Sequence, residues 1–437
     1  MAQPTIEDVS SIDSSESSSP AIVMIASGTT PHALGFAPVG VVQLGRHITS
    51  GDFTVEIDDE RMSREHATVE WQAGGWRIVD LDSRNGTFLD GARLAGELHR
   101  AGDLVLRLGH TVFVLVRDGR GHLAPREDGA AVIGPELSRA YDAIRRNATQ
   151  ESDTLLLHGE SGSGKELAAR LYHDTRTPDG PFIAVNCATI PEGVAERLLF
   201  GSKRGAFSGA IDAVGYLQSA HGGTLFLDEI ADLDPAVQAK LLRVLETRDV
   251  LPIGATSPVA VELGVVAASH RELRTAIVDK QFRDDLYYRL ARVVIHLPPL
   301  RARKIDAARL AVRELAAVDR RLSAHAKLIE ACCVRAWPGN IRELRGAVGQ
   351  AASEALAGGR DVVKVTDLPP HAGMIAGVEP HSPQSPADPG APTLDKTSVL
   401  AAIASADGVL SVAARTLGLH RTQLYRLMEK LGISREK

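Results

Sequence analysis

The residues Gly159-Glu160-Ser161-Gly162-Ser163-Gly164-Lys165 set three glycines and two serines ahead of a lysine. Glycines at this spacing let successive backbone amides turn inward toward phosphate oxygens, and the lysine adds a cation for the terminal phosphates. The apolar run Thr154–Leu157 precedes the loop and the helix-forming run Glu166–Tyr172 follows it. That order of strand, glycine loop and helix is what phosphate binding requires. Glu166 occupies the place after the lysine where a Ser or Thr hydroxyl usually contacts Mg2+. A second apolar run, Thr224–Leu227, ends in Asp228-Glu229. An acid at the carboxyl edge of a buried strand can hold Mg2+ through water, and its neighbour can orient an attacking water. Together these two segments specify a nucleoside triphosphatase.

Two further groups of residues carry binding chemistry. Gly45-Arg46, Ser63-Arg64-Glu65-His66 and Asn85-Gly86-Thr87 fall in turns between β-rich runs. Arg46, Ser63 and Arg64 offer charge-assisted hydrogen bonds to a phosphothreonine, and Asn85 can hold the peptide backbone. At the other end of the chain, Leu394–Ala404, Ser411–Leu417 and Arg421–Leu431 read as three helices, with Gly418 ending the second. From Ser411 to Lys430 the cations Arg415, Arg421, Arg426 and Lys430 face the single acid Glu429, so four positive charges less one leave +3. The third helix presents His420, Arg421, Thr422, Gln423, Tyr425 and Arg426 to a DNA major groove and its phosphates. A small basic dimerisation bundle is the alternative reading of the same helices.

These sites need elements to hold them, and 437 residues, 44% apolar and 24% charged, are too many for one core. No apolar run reaches the ~18 residues of a membrane helix, and three cysteines make no disulfide framework, so a reducing cytoplasm is expected. The net charge of −6 excludes a uniformly basic surface and confines nucleic-acid binding to a local module. Residues 1–21 are acidic and serine-rich and are expected to form a disordered leader. Residues 22–117 are expected to form an all-β sandwich from seven short strands, Val39–Leu44, Thr54–Ile57, Ala67–Trp71, Trp76–Leu81, Thr87–Leu89, Asp103–Leu108 and Thr111–Val116. A linker, 118–131, leads to an α/β domain over 132–366 with a mostly parallel sheet and a helical part from about 305. Residues 367–392 form a second, proline-rich linker before the small all-α unit 393–437.

The longer motifs carry a family resemblance. Gly159 to Glu166, Asn186-Cys187, Gly205-Ala206-Phe207-Ser208-Gly209-Ala210, Gly222 to Ile230, Phe282 to Leu290 and Trp337 to Leu344 resemble, in order, the AAA+ domain of sigma-54-dependent transcriptional activators. The resemblance implies ATP with Mg2+ in a hexameric ring built from smaller oligomers. It gives Arg283 and Arg289 the role of reaching a neighbour's γ-phosphate, Arg342 that of a lid sensor and Asn186 that of holding Glu229 until it is needed. Asn186 can also be read as satisfying a backbone group at a strand end. The resemblance further implies that Gly205–Ala210 is the loop that grips sigma-54, with Phe207 at its tip. His270 stands where that family usually has an asparagine, Ser208 where it has threonine, and Ser202-Lys203 and Leu217-Gln218 also depart from its pattern. The N-terminal turns resemble a forkhead-associated (FHA) domain, in which His66 braces the Ser63 loop, and the C-terminal helices resemble a Fis-type helix-turn-helix. The expected protein is therefore an enhancer-binding activator that senses a phosphothreonine protein of Ser/Thr kinase signalling, binds enhancer DNA and remodels sigma-54 RNA polymerase holoenzyme. The alternatives are a phosphopeptide-dependent DNA-binding regulator with a decayed ATPase, and a AAA+ remodeller of another protein.

Overall fold

The computed structural model describes residues 19–375 apart from 29, 39, 49–52, 120–125, 130, 151–152, 192 and 207–210, together with Val399. The chain separates into two units, Met1–Val378 and Glu379–Lys437. The expected C-terminal helices, with His420, Arg421, Thr422, Gln423, Tyr425 and Arg426, lie outside the described residues save Val399, as do residues 1–18 and most of the proline-rich linker. The expected leader is corrected at its end, since Ala21 already belongs to a strand.

The N-terminal domain is a sandwich of strands β1 (Ala21–Ser27), β2 (Thr30–Phe36), β3 (Val41–Gly45), β4 (Phe53–Glu56), β5 (Ala67–Gln72), β6 (Gly75–Asp80), β7 (Thr87–Leu89), β8 (Ala92–Arg93), β9 (Glu97–Arg100), β10 (Leu104–Leu108) and β11 (Thr111–Val116). One sheet runs β2-β1-β11-β10-β7-β8 and the other β4-β3-β5-β6-β9. Because side chains alternate along a strand, Leu104, Leu106, Leu108, Phe113 and Leu115 enter the sandwich core with Trp76 and Ile78. The intervening Val105, Val112, Val114 and Val116 face outward, yet they too are buried.

What covers them is the helical part of the central domain. Ala21, Val23, Ile25, Val105 and Val114 share one continuous core with Leu310, Leu315, Ile329 and Cys333. Where seven strands are expected, eleven stand among the described residues of the sandwich. Strand β1 is buried on both faces, so its sequence AIVMIAS shows no alternation. The expected first linker contains a hairpin, Arg126–Asp128 paired with Ala131–Ile133.

The central domain is a five-stranded parallel sheet in the order Phe182–Asn186, Thr224–Asp228, Gly264–Ser269, Thr154–His158, Val294–His296. Its middle strands are apolar on both faces, since helices Pro135–Ala148 and Lys165–Arg176 cover one side and Pro235–Thr247 the other. Asp234 starts the last of these helices, its side chain accepting from the Ala236 amide with Pro235 at the first helical position. Three lid helices follow, Lys304–Val318, Ala326–Val334 and Asn340–Ala357. Arg303, 1% exposed, roots them by bonding Asp306, the Ser163 carbonyl and the Val132 carbonyl at 2.7, 3.2 and 3.3 Å.

Candidate functional site: a nucleotide cavity between sheet and lid

The glycine loop follows the strand Thr154–His158 and opens the helix Lys165–Arg176. Gly162 and Gly164 have φ of +74° and +107°, and a Cβ on Gly162 would meet the Gly339 carbonyl at 2.5 Å. Only glycine fits that approach of lid to loop. Lys165 is buried, and its Nζ donates to the Gly159 carbonyl at 3.0 Å and lies 3.5 Å from Glu229 Oε1. A cavity of about 620 Å³ opens here, lined by Ser161, Lys165, Asp228, Glu229, Arg342 and Arg345.

The lid closes on the loop through several bonds. Ile341 N donates to the Gly162 carbonyl at 3.1 Å. Asn340 Nδ2 donates to Glu160 Oε2 and to the Ser161 carbonyl, both at 3.0 Å, and Arg342 Nη1 donates to Ser161 Oγ at 3.2 Å. Glu160 is also clamped by both Arg301 nitrogens at 2.9 and 2.6 Å, which holds its carboxyl below the usual range.

Asp228 and Glu229 lie at the end of the strand Thr224–Asp228, which Gly264–Ser269 separates from the phosphate-loop strand. Asp228 is raised by burial, with Lys165 pulling it down and Glu229 pushing it up. Burial also pushes Glu229 up, but hydrogen bonds from His270 and the charge of Lys165 outweigh it and leave this carboxyl below its ordinary value. His270 holds Glu229 twice, its backbone N donating to Oε2 at 3.2 Å and its ring Nδ1 lying 2.6 Å from the same oxygen. Asn186 is placed differently from the role its resemblance implied, because its Oδ1 accepts from the Ala188 amide at 3.0 Å and starts a short 3-10 turn. The contact with Glu229 therefore comes from His270, Arg301 and Asn340 join the loop's supports, and of these three the sequence singled out His270 alone, as a departure.

The residues fit a Mg-nucleotide with one gap. The loop's glycines form a phosphate cradle, Ser163 Oγ is buried without a hydrogen-bond partner, and Asp228 and Glu229 stand across from Lys165. Glu166 supplies no hydroxyl and pairs instead with Arg170 at 2.9 Å on the exposed helix face.

Arg283 and Arg289 lie away from this cavity. Arg283 chelates Asp285 at 3.0 and 2.6 Å, and Arg289 Nη2 donates to the Leu245 carbonyl at 2.6 Å. Of the expected partner-gripping loop, Gly205 and Ala206 are described and Phe207–Ala210 lie outside the described residues. Its base is a bridge of two backbone bonds between Ser202 and Ala213, both 2.9 Å. Ile211 and Val214 there are 67% and 74% exposed.

In the sandwich, Gly45 lets β3 approach the next turn, since a Cβ would meet the Arg64 carbonyl at 2.0 Å. Arg46 N then donates to the Ser63 carbonyl at 2.9 Å, so two turns converge. Arg46 and Arg64 are exposed and project from them. Buried His66 accepts from Ser63 N at 3.0 Å through Nδ1, so Nε2 carries the proton toward the Gly86 carbonyl at 3.4 Å. Asn85 Nδ2 donates to the Arg61 carbonyl at 2.6 Å.

A parallel sheet with a phosphate loop after one strand, paired acids at the end of a second strand set one strand away, and a helical lid over both defines a AAA+ P-loop ATPase domain. The sigma-54 interaction domain model matches residues 132–296, the FHA domain model 42–109 and the Fis-family bacterial regulatory protein model 392–431. The acetoin catabolism regulatory protein of Cupriavidus necator is 40% identical over 321 residues, 71% of this chain and 47% of that protein. The Nif-specific regulatory protein of Azotobacter vinelandii is 38% identical over 70% of this chain and 60% of its own. The chain thus spans about half to two thirds of the length of these relatives. The DNA-binding transcriptional regulator NtrC of Escherichia coli is 36% identical over 333 residues, 69% of this chain and 70% of NtrC. The crystal structure of NtrX from Brucella abortus in complex with ATP is similar over 70% of both chains, at 30% identity and a TM-score of 0.50. The chain belongs to the family of sigma-54-dependent transcriptional regulators, with an FHA domain before the AAA+ domain and a Fis-type helix-turn-helix after it.

Proposed function

We propose that this protein is an activator that couples ATP hydrolysis to remodelling of sigma-54 RNA polymerase holoenzyme into the open complex. The observation that carries the reading is the cavity in which Lys165, Asp228, Glu229 and the lid's Arg342 meet, in a chain of this family. Lys165 would hold the terminal phosphates and Asp228 a Mg2+, which when bound would supply charge to offset that of the phosphoryl group. Glu229, held by His270, orients the attacking water and accepts its proton. Arg283 and Arg289 act across subunit boundaries in a hexameric ring assembled from dimers. The loop Gly205–Ala210 engages sigma-54, with Ile211 and Val214 exposed at its base. Arg46, Ser63, Arg64 and Asn85 receive a phosphothreonine from a kinase-modified protein. Residues His420, Arg421, Thr422, Gln423, Tyr425 and Arg426 contact enhancer DNA in the cytoplasm.

The test uses the full chain with sigma-54 holoenzyme on a supercoiled promoter, comparing wild type with Lys165→Ala and Glu229→Gln. Wild type should hydrolyse ATP and open the promoter, Lys165→Ala should lose nucleotide binding, and Glu229→Gln should bind ATP while losing turnover by at least about a hundredfold. Binding without hydrolysis in the wild type would instead identify a phosphopeptide-dependent regulator with a decayed ATPase.

A further inference from the structure

The outer face of the β2-β1-β11-β10-β7-β8 sheet is not a solvent face, and the lid is what it meets. Val23, Val105 and Val114 pack with Leu315, Ile329 and Cys333 in one core. At its centre Arg107 of β10 donates from Nε to Glu330 of the second lid helix at 2.7 Å, with the two side chains 6% and 8% exposed. The rings of His110 and His325 meet edge to face at 5.3 Å, and Lys304 lies 3.8 Å from Asp90. Separating these surfaces would expose apolar side chains to water and break the Arg107–Glu330 pair. A lid that moves must therefore carry the sandwich with it.

Each end of this joint touches a binding site. On the ATPase side, lid residues Asn340, Ile341 and Arg342 bond the phosphate loop directly. On the sandwich side, the link is Asp59, 5% exposed. One of its oxygens accepts from Arg61 N at 2.9 Å, and the Arg61 carbonyl in turn accepts from Asn85. The other accepts from His110 N at 2.7 Å and Thr111 Oγ1 at 2.9 Å, in the β10–β11 turn that packs on His325. One buried carboxylate thus pins the phosphopeptide turns to the turn that rests on the lid.

We propose that the sandwich uses its outer sheet face to hold the ATPase lid, so that phosphopeptide occupancy and nucleotide occupancy bias one another through Asp59, the β10–β11 turn and the second lid helix. The ligand half of this statement rests on the phosphothreonine reading above. Because coupling is reciprocal, it can be measured from either site.

The probe is ADP, added to the full wild-type chain, with amide hydrogen exchange read at residues 59–66, 84–87 and 107–111. ADP should change exchange in all three segments by at least about fivefold, the lower end of ordinary coupling energies. In Asp59→Ala the response at 107–111 should persist, while that at 59–66 and 84–87 shrinks. A wild-type response confined to the ATPase sheet and lid overturns the proposal. A second arm titrates the same chain with a degenerate phosphothreonine peptide library, with and without saturating ADP. An at least about fivefold shift in peptide affinity supports coupling, and an unchanged affinity overturns it. If ADP alters exchange in the turns but no phosphothreonine peptide binds, the lid connection stands and the ligand reading falls.

Discussion

Replacing Arg107 by methionine would keep most of the side chain's volume while removing its charge from the joint between sandwich and lid. Glu330 Oε1 is already buried without a hydrogen-bond partner, and Oε2 has Arg107 as its bonding partner at 2.7 Å. Arg107→Met therefore leaves a buried carboxylate with neither charge nor donor, a defect that costs about 3–5 kcal/mol. It also removes the guanidinium stacked 3.9 Å over the Phe88 ring, adding up to about 1 kcal/mol. Glu330→Met should cost a similar amount by stranding the arginine. The double variant should recover most of the loss, because apolar side chains of similar volume in a buried pair are often neutral or stabilising. Urea unfolding followed by tryptophan fluorescence is suited to this, since Trp71 and Trp76 report the sandwich and Trp337, fully buried, reports the lid. For a denaturant slope of about 2–3 kcal/mol/M, each single variant should lower the midpoint by about 1–3 M for both sets of fluorophores. If the two single losses simply add in the double variant, Arg107 and Glu330 do not act as a unit and the reasoning fails.

Two further outcomes follow from groups near the same joint and in the catalytic cavity. Glu136, in the first turn of helix Pro135–Ala148, has its carboxyl raised to about 7 by burial, with Asp306 and Asp103 adding to the shift. Its folded value lies above its unfolded one, so the folded state binds the proton more tightly and stability falls as pH rises from about 4.5 to 7, by about 3 kcal/mol in all. Glu136→Gln should remove that slope and raise the melting temperature at pH 8; an unchanged pH profile of thermal unfolding would refute the assignment. In the cavity, His270→Ala should lower kcat for ATP by about tenfold to a hundredfold with little change in KM, since it loses an orienting bond worth about 1.5–3 kcal/mol. Asn186→Ala should cost less, and the reverse order would return control of Glu229 to Asn186.

The parts of this molecule legible in its sequence are those whose chemistry is met by adjacent residues. A phosphate cradle needs glycines and a lysine within one turn, so Gly159–Lys165 is readable without any neighbour. The turns bearing Arg46, Ser63 and Asn85 are readable for the same reason. Strand β1 is not, because alternation reveals a strand only when one face meets water and the lid covers its outer face, whereas β10 and β11, covered in the same way, are marked as strands by the Gly109-His110 turn between them. Strand β9, Glu97–Arg100, fails in the opposite way, being exposed at every position with no apolar side chain but Leu98.

The partner of Glu229 was hidden for a third reason. The register pairs Asn186 with Asp228 and Leu227 with Ala267, which brings both Asn186 and His270 beside the end of the strand Thr224–Asp228. Sequence resemblance favoured Asn186. At Glu229, however, the backbone turns to φ +54°, a left-handed conformation that a non-glycine residue seldom adopts. At that turn the carboxylate bonds His270, just past the strand Gly264–Ser269, and the Asn186 oxygen bonds its own chain two residues on. The choice between these two neighbours of Glu229 thus accompanies a turn of the backbone at one residue. A dihedral at a single residue, unlike a spacing of glycines, leaves no pattern in the sequence to be read.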